Sequence, residues 1–213
     1  MAQLKVNYGI DLGTTNSAIA RMEAGKPTVK KIEVTDDTMP SCVYFQKNKS
    51  CHVGKKAYSS MKSDKRRAMK KMDAEASNTY LEFKRTMGTD KRYVSANMDG
   101  REYSSEELSA EVLKALKSFI TDEDFRSVVI TVPAKFNANQ KTATIKAAKL
   151  AGFNHVELLQ EPIAAAMAYG LSSAQKDGYW LVFDFGGGTF DAALIKVEDG
   201  IIQVFDTEGD NYL

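Results

Sequence analysis

Gly9-Ile10-Asp11-Leu12-Gly13-Thr14-Thr15-Asn16-Ser17 and Phe183-Asp184-Phe185-Gly186-Gly187-Gly188-Thr189-Phe190-Asp191 are two versions of one local design. Each is a short apolar run with an aspartate at its tip, then a tight Gly/Thr hairpin leading into a second strand-like run. Glycine lets backbone N–H groups approach an anion and converge on it. Thr14, Thr15 and Thr189 add hydroxyl donors. Asp11 and Asp184 would repel a phosphate directly, so a cation between carboxylate and phosphate is implied. Mg²⁺ suits that place, because it keeps most of its waters and is held through one or two carboxylates. One such loop means little, since Asp and Gly are favoured turn residues. A second copy 173 positions later, in the same strand context, reads as duplicated half-molecules that clamp a magnesium polyphosphate from two sides. Other nucleotide motifs are absent: no GxxxxGK[ST] occurs, and Gly186-x-Gly188 runs on to Asp191 where a dinucleotide fingerprint needs glycine.

Around these loops the chain divides into three zones. Residues 5–36 read as a strand meander, with runs at 6–11, 17–22 and 28–34 and a turn at Glu23-Ala24-Gly25-Lys26. Residues 40–103 are poorer in strand signals and read as an inserted subdomain. From Ser104 strands and helices alternate strongly. Ser104 and Glu107 fit a capping box ahead of Leu108, Val112, Leu116, Phe119 and Ile120 at helical spacing. The β-branched run 127–133 predicts a buried strand. Asn139 is the expected cap of the next helix, which stops near Gly152. A short strand at 156–159 precedes a helix that Pro162 opens and Gly170 ends. Runs at 179–185, 190–197 and 201–207 predict three more strands, and 172–178 reads as a linker. Together these predict an α/β fold with a mixed sheet.

Composition narrows the classes. The 213 residues are 43% hydrophobic and 27% charged, ordinary for a globular chain, and no run approaches the length of a membrane span. The first residues lack the apolar core of a secretion signal. Cys42 and Cys51 form no CxxC, and His52 and His155 are the only histidines, which argues against a zinc site. A reducing cytoplasm is the expected compartment. The net charge of +1 hides an asymmetry: residues 41–92 carry fourteen Lys/Arg against five Asp/Glu. The densest run, Lys62 to Lys71, is either a polyanion surface or a solvated helix face. It has no interleaved aromatics and fits no nucleic-acid module, so no specific nucleic-acid partner is expected.

Four motifs, GIDLGTTNS, VPAKFNANQKTATIKAAKLAGF, ELLQEPIAAAMAYGL and FDFGGGTFD, stand in an order and spacing that resemble the ATPase domain of the Hsp70 (DnaK-type) chaperones. The likeness runs from about Val6 to the end and is looser from Gln46 to Arg101. It implies an actin-like fold with a ribonuclease H-like mixed sheet flanked by helices. Residues 1–39 and 104–173 would form the core of a first lobe, 40–103 its outer subdomain, and 174–213 the first strands of a second lobe. By the same likeness ATP or ADP with Mg²⁺, and K⁺ as a further ion, would bind between the loops. Gly13, Thr14, Thr15, Asn16, Gly186, Gly187, Gly188, Thr189 and Asp191 would bind nucleotide, and Asp11, Asp184 and Glu161 would hold the metal, mainly through water. Lys84, Glu161, Asp184 and Thr189 would act on the γ-phosphate and the attacking water. Read alone, Lys84 is one more surface lysine, and Glu161 is either a cleft-facing carboxylate at a strand end or an acid favoured by a helix N-terminus. The implied partners are unfolded peptide clients, a J-domain co-chaperone and a nucleotide-exchange factor.

Two departures bear on these expectations. Pro133 matches the family's relay proline, but Lys141 stands where its arginine partner is usual, and lysine lacks the planar guanidinium fork. Ile145-Lys146 replaces a common Lys-Asp. The sequence from Asp206 to Leu213 resembles the point where family chains leave the first sheet of the second lobe. A fragment of a longer protein, impaired in nucleotide binding and prone to self-association through its last strands, is therefore expected. A small-molecule kinase or filament protein of the same superfamily, and a non-catalytic scaffold, are the alternatives.

Overall fold

A computed structural model describes residues 6–32, 36–70, 78–169, 177–186 and 189–210, with side chains for all of these except 67, 68 and 189. Gly170, most of the expected linker at 172–178, Gly187, Gly188 and the Thr189 side chain lie outside the described residues.

The meander is present as β1 (Tyr8–Leu12), β2 (Asn16–Glu23) and β3 (Lys26–Val29). Ala24 and Gly25, at φ 50° and 80°, make the two-residue turn whose twist matches a hairpin. β3 stops at Val29, short of the predicted run to 34, and all four of its residues are exposed. β4 (Met39–Pro40) pairs with the start of β2. The basic zone holds β5 (Val43–Phe45), β6 (Cys51–Val53), helix α1 (Lys55–Lys70), β7 (Thr79–Tyr80), β8 (Tyr93–Ser95) and β9 (Arg101–Tyr103). Then follow α2 (Ser105–Ser118), β10 (Ser127–Val132), α3 (Ala138–Leu150), β11 (His155–Gln160) and α4 (Glu161–Ala168). The chain closes with β12 (Gly178–Gly186), β13 (Thr189–Glu198) and β14 (Ile201–Asp210).

The main sheet runs β11-β10-β1-β2-β3. β10 lies parallel to both β1 and β11, while β1, β2 and β3 are antiparallel, so the sheet is mixed as expected. Tyr8, Ile10 and Leu12 of β1 and Val128, Ile130 and Val132 of β10 alternate into the core. β10 is thus half-buried rather than wholly buried, leaving Val129 and Thr131 on the other face. Leu108, Val112, Leu113 and Leu116 of α2 and the small residues Ala143, Ala147 and Ala148 of α3 join the same core. The expected capping box opens α2: Glu107 N–H donates to Ser104 Oγ, and Ser104 N–H to the Glu107 carboxylate at 2.9 Å. For α3 the cap is Asn137, not Asn139. Asn137 Oδ1 accepts from Gln140 N–H at 2.9 Å, and Gln140 Oε1 takes Asn137 N–H at 3.0 Å, a reciprocal pair that Asn139, already inside the helix, cannot make.

The last three strands form a separate antiparallel sheet, β12-β13-β14. Helix α4 packs on the face that buries Ala193, Ile195 and Val197. The opposite face shows Tyr179, Leu181, Phe183 (63% exposed), Phe185 (80%) and Phe205 to solvent. No helix among the described residues is long and apolar enough to cross a membrane. The basic run lies on α1, with Lys56, Lys62, Lys65, Arg66 and Lys70 exposed. Its acid, Asp64, is buried and accepts from Asn78 N–H at 2.7 Å and the Thr79 hydroxyl at 2.9 Å.

Candidate functional site

Both hairpins open onto one cavity of about 540 Å³, within the usual size of small-ligand sites. The first loop joins β1 to β2. A Cβ on Gly13 would stand 2.0 Å from the Asn16 carbonyl oxygen, so only glycine closes this turn. A strap behind the loop holds it: Ser41 N–H donates to Thr15 O at 2.8 Å and Ser41 Oγ–H to Gly13 O at 2.7 Å. Because the single Ser41 hydroxyl proton is used there, the 2.8 Å contact with Ser17 Oγ is donated by Ser17. Both serines are buried. Two loop carbonyls, which would repel an anion, are thereby engaged from behind.

The second loop joins β12 to β13, with Gly186 paired to Thr189 and Asp184 directly across from Asp191. Burial pushes the Asp191 carboxyl above its usual range. Asp184 pushes it the same way, while Lys135 and Lys84 pull it down. Gly209 of β14 makes the room: a Cβ there would lie 2.6 Å from Asp191 Oδ1 and 2.4 Å from Phe190 O.

Lys84 is not a surface lysine. It sits in a 3₁₀ turn, Phe83–Thr86, entered through Glu82 in the left-handed region, and is 6% exposed. Its Nζ lies 2.9 Å from Glu161 Oε1 and 5.6 Å from the centre of the Phe136 ring. Glu161 is the first residue of α4, directly after β11 and ahead of Pro162. Burial raises its pKa; Lys84 opposes the shift, and Asp11 and Asp184 add to it. Glu161 lines the cavity and also stands at a helix N-terminus, so both sequence readings of it meet at this position.

Asp11, residues 13–16, Asp184, Gly186 and Asp191 line the cavity from the two loops, and Lys84, Pro133 and Glu161 line it from the sides. Lys141 does not line it; it lies in the first turn of α3. Sequence reasoning missed Arg85, Thr131, Phe136 and Gln140, which also line the cavity. Arg85 was adjacent to Lys84, and Phe136 and Gln140 lay inside a quoted motif. Thr131 gave no signal beyond a β-branched strand residue. Among the described residues no three His, Cys, Asp or Glu side chains stand close enough to hold a metal ion directly. Asp11, Asp184 and Glu161 all line the cavity, so these are the carboxylates that could share a cation through bridging water.

The family model described as Hsp70 protein matches residues 7–213. The chain belongs to the Hsp70 family. As an Hsp70 sequence it is a nucleotide-binding chaperone module of the actin-like ATPase fold, and the mixed α/β architecture agrees. Hsp70 proteins in general act with client peptides and co-chaperones. Membership sets the chain apart from the small-molecule kinases and filament proteins of the same superfamily.

Proposed function

We propose that this protein binds ATP between its two Gly/Thr hairpins and hydrolyses it by in-line attack of water on the γ-phosphorus. The observation that carries this reading is the buried Lys84–Glu161 pair, set at the side of a cavity into which both hairpins open. An unpaired buried ammonium is costly, and one salt bridge with a side chain that also faces Asp11 and Asp184 leaves donor capacity turned to the cavity. Phosphoryl transfer asks the protein mainly for positioning and for positive charge near the developing negative charge. Lys84 supplies the charge beside the transferring phosphate. Glu161 holds Lys84 in place and accepts a hydrogen bond from the attacking water. The Thr14, Thr15 and Thr189 hydroxyls and the loop N–H groups, with Asn16 and residues 186–188, bind the phosphates; Asp191 supports the second loop. Asp11, Asp184 and Glu161 would hold Mg²⁺ through water, and K⁺ is a second candidate ion. The metal would supply charge neutralisation on the phosphate oxygens.

In this reading residues 1–39 and 104–173 are the core of a first lobe, 40–103 its outer subdomain and 174–213 the start of a second. Pro133 and Lys141 relay the nucleotide state toward peptide binding, with a J-domain co-chaperone and an exchange factor as partners in the cytoplasm. Substitution of Lys84 tests the chemistry. Lys84→Ala is expected to slow hydrolysis roughly a hundredfold to a thousandfold while ATP affinity changes little, as for a group acting on the transition state. Single-turnover rates and equilibrium binding measured on the same preparation separate the two. An unchanged rate would overturn the assignment.

A further inference from the structure

We propose that Thr131 is a positioning residue that fixes the Asp11 carboxylate toward the bound metal; this rests on the reading of Asp11 given above. The parallel pairing of β1 and β10 puts Gly9 beside Val129 and Ile10 beside Ile130. The next step of that register brings Asp11 and Thr131 together where both strands end. Thr131 Oγ1–H donates to Asp11 Oδ1 at 2.9 Å. Among the described residues this is the one hydrogen bond to the Asp11 side chain.

The residue type fits the task. Asp11 is an exposed side chain at a strand tip, free to take several rotamers unless something holds it. Threonine is stiff about χ1, so its hydroxyl is presented in a fixed direction. The rest of the strand, Ser-Val-Val-Ile-Thr-Val, shows that valine would serve the sheet as well at this position. What threonine adds is a charge-assisted donor in the cavity wall. An ionised carboxylate has about four acceptor sites, so one bond to Thr131 still leaves the others turned toward water and cation. Partners that orient a metal's ligands typically change its affinity by about 10–100-fold when removed.

The experiment is a Mn²⁺ titration followed by electron paramagnetic resonance in the presence of ADP, on the parent protein and on Thr131→Val, Thr131→Ser and Asp11→Asn. Thr131→Val is expected to weaken Mn²⁺ binding by up to about 10-fold, the low end of the range because Asp11 acts through metal-bound water. Thr131→Ser, which keeps the hydroxyl, is expected to restore most of it, and metal-free thermal midpoints are expected to agree. Asp11→Asn weakening the metal while Thr131→Val does not would overturn the inference alone. Equal losses in Thr131→Val and Thr131→Ser would overturn it too, because the loss would not follow the hydroxyl. If Asp11→Asn leaves Mn²⁺ affinity unchanged, the metal reading of the site fails and this inference falls with it.

Discussion

Asp191 stands across the β12–β13 ladder from Asp184, and both carboxylates enter the same cavity. Its raised pKa means that the folded protein holds that proton more tightly than the unfolded chain does. The contribution to stability is present below the ordinary carboxylate range near 4 and is lost as pH rises through the raised native value. Asp191→Asn has the same shape without the charge. It is expected to be more stable than the parent near neutral pH, with the gap closing in acid below about pH 4, as urea midpoints at the two pH values will show. A variant no more stable than the parent near neutrality would contradict the sign. At this scale type and spacing single out Asp11, Gly13, Asp184 and Gly186 in the sequence, and all four line the cavity. Lys84 was opaque without its family likeness, since its burial depends on a 3₁₀ turn entered through a left-handed glutamate and on Glu161, 77 positions away. Thr131 was opaque for a plainer reason: a threonine in a strand needs no explanation until its neighbour is known.

Among the elements, the short turn that carries Lys84 is wedged between two helices. The Thr86 hydroxyl lies 2.7 Å from both Tyr93 OH and Ser105 Oγ, which ties the turn to α2. On its other side Gly88, at φ +73°, packs against the start of α3, where a Cβ would come within 2.9 Å of the Asn139 carbonyl carbon and 3.0 Å of Gln140 N. Gly88→Ala therefore meets both a disfavoured backbone and a clash with backbone that cannot swing away. A loss of at least about 1 kcal/mol is expected, read from the denaturant midpoint. A midpoint unchanged from the parent would show that the two segments can part freely. The long alternating strands and the boxed helix α2 were legible because periodicity and capping are local. The two- and three-residue strands β4 to β9 were not, since such short segments carry no period. For α3 the sequence points to Asn139, two residues past the cap, because the reciprocal bond of Asn137 with Gln140 that makes the cap is not a property of residue type alone.

For the molecule as a whole, the sheet β12-β13-β14 has one face covered by α4 and the other bare. Phe183 and Phe185, with Tyr179, Leu181 and Phe205 beside them, make that face more apolar than scattered surface residues would. Among the described residues the outer strands β12 and β14 pair with no further strand. The 213-residue chain is expected to self-associate through this face in sedimentation velocity at tens of micromolar, and Phe183→Ser with Phe185→Ser to reduce the effect. A monodisperse monomer at that concentration would count against it. The order of strands in the main sheet has a consequence for synthesis. Gly9 of β1 pairs with Val129 of β10, 120 residues further along, whereas the β1–β2–β3 meander closes within its own neighbourhood. At about 5–20 residues per second, the first loop is on its hairpin on the order of ten seconds before the strand that holds Asp11 has been translated. During that interval one edge of β1 is an open template on the ribosome, with its backbone donors and acceptors still waiting for the strand that completes the sheet.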